Sequence, residues 1–154
     1  MGFTPIEVLV VLIIIGIVSV MVIGRSDIGR TDLVAQVEVI KSHIRYAQSQ
    51  SMKSDRIWGI HCDDTGKSYW LFVDGDPDDA GNRRKLPGEE STIVDLTPFK
   101  LTLSAMTLSF DNRGRPCDDN SGTQPIEADL LLTLSAGGEA NTTIRVTRST
   151  GFIP

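Results

Sequence analysis

Residues 2–23, Gly2-Phe3-Thr4-Pro5-Ile6-Glu7-Val8-Leu9-Val10-Val11-Leu12-Ile13-Ile14-Ile15-Gly16-Ile17-Val18-Ser19-Val20-Met21-Val22-Ile23, decide how the chain is built. No charge follows Glu7 within this stretch, and only Gly16 and Ser19 interrupt the Val, Leu, Ile and Met that fill it. From Pro5 to Ile23 there are about 19 residues, which as a helix rising ~1.5 Å per residue would span roughly 28 Å, close to the ~30 Å hydrocarbon core of a bilayer. A buried core helix is usually shorter and apolar on one face only, whereas this one is apolar all round. The sequence therefore predicts a membrane-spanning helix over 3–23.

Glu7 is the residue that does not fit a plain anchor. A carboxylate at the start of a membrane helix costs on the order of 2–3 kcal/mol unless it is paired, protonated or able to reach the interface. One explanation is capping, since an acidic side chain in the first turn meets the positive end of the helix dipole. The other needs a cut between Gly2 and Phe3, which frees an α-amino group of pKa about 8, positive at neutral pH. The ammonium of a neighbouring copy would then pair with Glu7 inside the apolar phase and favour one axial register.

The run Gly2-Phe3-Thr4-Pro5-Ile6-Glu7-Val8-Leu9-Val10-Val11-Leu12 resembles the class III signal of type IV pilins and type II secretion pseudopilins. The resemblance implies a prepilin peptidase that cuts after Gly2 and N-methylates Phe3, with Glu7 as the assembly carboxylate. Two features depart from the family pattern. Pro5 stands where leucine is usual, although proline suits the first helical turn, where its missing N–H loses nothing. The leader is the dipeptide Met1-Gly2, without the family's basic residues.

Downstream, the chain divides into a polar joint, an amphipathic helix and a run of strands. Gly24-Arg25-Ser26-Asp27-Ile28-Gly29 forms the joint, and its glycines weaken helix by up to ~1 kcal/mol each. From there to Asp55, Leu33, Val37, Ile40, Ile44 and Ala47 recur at spacings of four and three, one helical stripe that needs a sheet to cover it. His43 is expected off the stripe, solvated or interfacial. Alternation then predicts strands at Arg56–Cys62 and Ser68–Val73 around an Asp63–Lys67 turn, with Trp70 and Phe72 sharing a face. Further strands are expected around Phe99–Leu103, Leu108–Phe110, Leu130–Leu134 and Ile144–Val146, the last running on towards Thr150–Ile153, with Pro116–Pro125 a polar loop and Gly137-Gly138 a turn. One long helix followed by short strands reads as α+β, a helix packed on antiparallel sheet. The resulting division is 1–2 residual leader, 3–23 transmembrane and assembly helix, 24–55 amphipathic continuation, and 56–154 antiparallel β domain.

The resemblance reaches into this region. Trp70-Leu71-Phe72-Val73-Asp74-Gly75-Asp76, Leu108-Ser109-Phe110, Gly114 and Thr150-Gly151-Phe152-Ile153 look like the general secretion pathway protein H and FimT group of minor pilins. That group implies a periplasmic domain on a helical stalk, anchored once in the bacterial inner membrane and built with other subunits into a pilus or pseudopilus near its tip.

Other residues carry patterns of further site chemistries. Cys62 and Cys117 are the two cysteines, and in an oxidising periplasm they either bridge, contributing up to ~4 kcal/mol, or stay as two thiols. Asp74, Asp76 and Asp78 alternate like calcium ligands, but Asp79 and Lys85 occupy the positions where the loop motif needs glycine and glutamate. A looser site with Glu89 or Glu90 competes with the preferred reading, a solvated acidic loop partly neutralised by Arg83 and Arg84. Thr65-Gly66-Lys67-Ser68 is not a phosphate loop, because His61 stands where its first glycine belongs.

Arg113, Arg115, Arg145 and Arg148 would supply a basic patch for a DNA-capturing minor pilin, the alternative function. The net charge of -5 weighs against it. A third reading is a tethered domain that never polymerises. No Gly-x-Ser-x-Gly or His-Glu-x-x-His pattern occurs and there are two histidines, so the expected role is not enzymatic.

Overall fold

The computed structural model describes the backbone of residues 5–23, 28–137 and 141–154. The cleavage-site residues Gly2 and Phe3, the centre of the expected joint (24–27) and Gly138 of the expected turn lie outside them. Two helices lead the chain, α1 over Pro5–Ile23 and α2 over Ile28–Ser54. Among the described residues nine strands follow: β1 Trp58–Cys62, β2 Ser68–Val73, β3 Arg83–Arg84, β4 Ile93–Asp95, β5 Leu101–Leu103, β6 Met106–Phe110, β7 Pro116–Cys117, β8 Leu130–Ala136 and β9 Thr142–Val146. All pairings are antiparallel. The protein is α+β, a helix laid across antiparallel sheets.

The stripe on α2 does what its spacing requires. Leu33, Val37, Ile40, Ile44 and Ala47 are all buried, in one apolar cluster with Ile60 and Cys62 of β1, Tyr69 and Leu71 of β2, Leu108 and Phe110 of β6, and Leu132, Leu134, Ile144 and Val146 of β8 and β9. One helix thus bridges two sheets. The larger is ordered β3-β2-β1-β6-β7, with β4 also pairing β2, and the smaller is β5-β8-β9. Leu103 N joins them by donating to Gly66 O at 2.8 Å.

Two glycines are required by close approach. Gly66 closes the β1–β2 turn at φ 69°, where a Cβ would fall 2.2 Å from Leu103 O. Gly59 lies under the ring of Phe72, leaving no room for a side chain. The turn is fastened by Asp63, whose Oδ1 accepts from Lys67 N at 3.0 Å and Ser68 N at 3.1 Å. These bonds to the ionised form hold its carboxyl below the usual range against the opposing effect of burial, which is the largest single influence on it.

Four details differ from the sequence reading. Both faces of β2 are buried: Tyr69 and Leu71 join the cluster with α2, while on the other face Trp70 Nε1 donates to Pro77 O of the following loop and the Phe72 ring lies over Gly59. Phe99 falls in a 3-10 turn and is exposed, leaving only Leu101 and Leu103 to alternate into the core. The segment read as a polar loop from Pro116 opens with β7, held by register to Ser109 and Phe110. The last strand stops at Val146, and Gly151 N then bonds back to Thr147 O at 2.8 Å, turning the chain so that Ile153 is buried.

Candidate functional site

In α1, Pro5 takes the first position and Glu7 lies in the first turn, where a carboxylate meets the free N–H groups of the helix. The apolar side chains around it are uncovered among the described residues: Ile6 is 72% exposed, and Val8 through Ile15 are all exposed as well. Ser19 Oγ returns its proton to Ile15 O at 2.7 Å, so the one hydroxyl of this stretch is satisfied within the helix. An apolar surface of this extent on all sides of a helix demands another apolar phase or another helix. Side chains are described from Pro5 to Ser19 of α1, and among the described residues no helix is long and apolar enough to cross a membrane. The spanning expectation rests on the sequence as far as Ile23.

The cysteines are placed apart. Gly59 of β1, Ser109 of β6 and Cys117 of β7 form one row across the larger sheet, while Cys62 lies three residues further along β1, opposite Met106. That offset is about 10 Å along the strand and about 10 Å across two strands, with an odd step that puts the thiols on opposite faces. A disulfide needs Cα atoms within about 7 Å. Of the two readings left open by the sequence, the structure has the free one: both thiols are unpaired and buried. Burial pushes Cys62 up to about 12 and Cys117 up to about 11, so neither is a thiolate at neutral pH.

The acidic loop is used by its own backbone. Asp74 Oδ2 accepts from Arg56 Nε at 2.7 Å and its Oδ1 from Ile57 N at 2.9 Å, closing the entry to β1. Asp76 Oδ1 accepts from Asp78 N at 3.0 Å, and Asp79 Oδ1 from Gly81 N at 2.8 Å. Arg83, one of the two expected neutralising arginines, instead lies over the Trp70 ring at 4.3 Å. Among the described residues no three His, Cys, Asp or Glu side chains are gathered as metal ligands would be.

The four arginines are exposed but mostly engaged. Arg115 Nε pairs with Asp111 Oδ2 at 2.7 Å, and Arg145 pairs with Asp129. Arg148 donates from its side chain to Glu127 O at 2.9 Å. Gln48 Nε2 donates to both Gly114 O, at 2.8 Å, and Thr150 O, at 2.7 Å. This bond pair brings the turn bearing Arg113 and Arg115 beside the one bearing Arg148.

His43 is not solvated. It is 3% exposed, with Nδ1 2.9 Å from Tyr69 Oη and Nε2 3.1 Å from Pro87 O. Periodicity carries the signal for this burial, since His43 falls three residues after Ile40 and four before Ala47, on the edge of the buried stripe. The staple made by Gln48 had no signal in the sequence, because its partners are main-chain carbonyls more than sixty residues away.

An exposed apolar helix α1 followed by a helix α2 packed on antiparallel sheets is a pilin-like fold. In keeping with that class, the chain is similar in structure to the type IV minor pilin FimU of Pseudomonas aeruginosa PAO1, with a TM-score of 0.58 and 19% identity over 81% of this chain and 88% of that one. A second crystal form of FimU gives a TM-score of 0.51 and 16% identity, covering 81% of this chain and 90% of that one. At such identity the likeness speaks for the fold. No family model matches the chain, and no curated protein does.

Proposed function

We propose that this protein is a structural minor pilin or pseudopilin. It is held once in the bacterial inner membrane by α1, with its C-terminal domain in the periplasm, and it assembles through the same helix with other subunits into a type II secretion pseudopilus or a type IV pilus, near the tip. The observation that carries the proposal is the unpartnered apolar surface of α1 with Glu7 in its first turn, attached to a domain of pilin fold. Nothing within the chain offers Glu7 a cation among the described residues. A neighbouring subunit's N-terminal ammonium would supply one. The general secretion pathway protein H and FimT group is the proposed subfamily, and prepilin peptidase the processing partner.

N-terminal mass spectrometry of the protein from a peptidase-proficient strain tests this. The product should begin at N-methylated Phe3, and an intact Met1 in assembled material would overturn the proposal.

DNA capture is the second reading. It is favoured by one observation, the Gln48 staple that sets Arg113, Arg115 and Arg148 at one end of the domain. The carboxylates of Asp111 and Asp129 already engage two of the four arginines, which ranks it second. Failure to shift duplex DNA at low salt, where phosphate contacts are strongest, would end it.

A further inference from the structure

His43 is a buried titratable group that the assembly reading does not use. Pro87 O can only accept, so Nε2 carries the imidazole proton. Nδ1 is then a lone pair, and the Tyr69 hydroxyl must donate to it. The ring therefore joins α2 to β2 on one side and to the segment after Leu86 on the other. That segment is short of other ties: Leu86 is buried in the core, and Glu89 N bonds back to Leu86 O at 3.3 Å.

The surroundings are arranged for the neutral ring. From β2 the facing group is Tyr69, fully buried, with Cys62 of β1 nearby; from the 85–92 segment it is Glu89, whose Oε1 is 3.9 Å from Nε2. One turn away on α2 stand Val39, Ile40, Tyr46 and Ala47, none of them charged at neutral pH. Adding a proton at Nδ1 would turn that atom into a donor, and the Tyr69 hydroxyl hydrogen would lose its acceptor in a place water does not reach. Burial accordingly pushes the imidazole below its ordinary range, against the smaller raising effects of Pro87 O and Glu89.

We propose that His43 is an acid-operated latch: neutral, it pins the Leu86–Glu89 segment and β2 to α2, and on taking up a proton it lets the segment go. In the released form the imidazole is solvated and binds a proton near its ordinary pKa of about 6.5. The closed form resists that proton, so closure is complete above this pH and weakens below it. Opening grows by up to about tenfold per pH unit until the closed form also protonates.

Amide hydrogen exchange on the full-length protein in detergent micelles between pH 7 and pH 5, corrected for intrinsic rates, reads the latch at the Glu89 amide, with Ile60 and Leu71 of the central strands as the global reference. The expected result is Glu89 opening that rises several-fold to tenfold per unit below pH 6.5 while the reference amides hold, and a flat profile in His43→Gln. If His43→Gln does not fold, His43→Leu, an apolar side chain of similar size that cannot take up a proton, serves and should flatten the profile in the same way. Identical profiles in wild type and whichever variant folds, or Glu89 and the reference amides moving in step, would overturn the latch.

Discussion

Replacing Gly59 by alanine adds one methyl group where the sheet has no space for it. An ideal Cβ at this position would lie 2.5 Å from Phe72 Cζ and 2.6 Å from Leu108 O. The first neighbour is a ring, but it is fully buried and cannot swing outward. The second is backbone, fixed because Gly59 pairs Ser109 and Ile60 pairs Leu108 in the central ladder. Overpacking of this kind costs about 1–3 kcal/mol, and with one neighbour immobile the upper half of the range applies, about 2–3 kcal/mol. A loss of 2 kcal/mol is roughly a thirtyfold fall in the ratio of folded to unfolded chains.

Urea denaturation followed by tryptophan fluorescence reads the change, since Trp58 and Trp70 both sit on the affected strands. With a slope of about 2 kcal/mol/M the midpoint should drop by about 1 M. The double variant Gly59→Ala, Phe72→Leu removes the ring contact and leaves the carbonyl contact, so it should behave better than the sum of its single variants. A Gly59→Ala midpoint indistinguishable from wild type would mean that Phe72 does not lie over this strand and that the β1–β2 register is wrong.

Truncating Ile44 to alanine at the centre of the α2 stripe should cost about 2–5 kcal/mol by the same assay, whereas Val34→Ala, on the exposed face, should cost under about 0.5 kcal/mol. Ser51→Ala should cost about 1–2 kcal/mol, because its fully buried hydroxyl serves the carbonyls of Arg56, at 3.0 Å, and Phe110. Asp119 accepts from Thr123 N, Gln124 N and the hydroxyls of Ser121 and Thr123, and these bonds hold its carboxyl at about 2 against the raising effect of burial. A depressed carboxyl stabilises above its unfolded value of 3.8 and stops doing so as pH falls towards about 2. Asp119→Asn should therefore remove on the order of 1 kcal/mol at neutral pH, after allowance for solvent screening, together with that part of the acid loss.

What the sequence made legible was the part governed by repetition. The stripe from Leu33 to Ala47 and the alternation of Ile60 with Cys62, and of Ile144 with Val146, each follow one period, and burial follows them. Motifs failed or succeeded for similar reasons: Asp74, Asp76 and Asp78 alternate like ligands, yet each position in a turn also has backbone N–H groups to satisfy, and those won at Asp74 and Asp76. The separation of Cys62 from Cys117 depends on strand order, which no local pattern states. The burial of His43 is hidden by its polarity and by the distance in sequence of its partners, Tyr69 and Pro87. Composition could not reveal that Arg115 and Arg145 are engaged by Asp111 and Asp129, because those pairs depend on how the chain turns and pairs its strands.

Quantifying how much Glu7→Ala enters assembled filaments, relative to wild type and at matched membrane levels, tests assembly through α1 most directly. The variant should insert normally and be depleted from filaments at least tenfold, having lost the one charge its apolar helix offers to a neighbour. Equal incorporation of the two would contradict the account and leave a tethered domain of pilin fold.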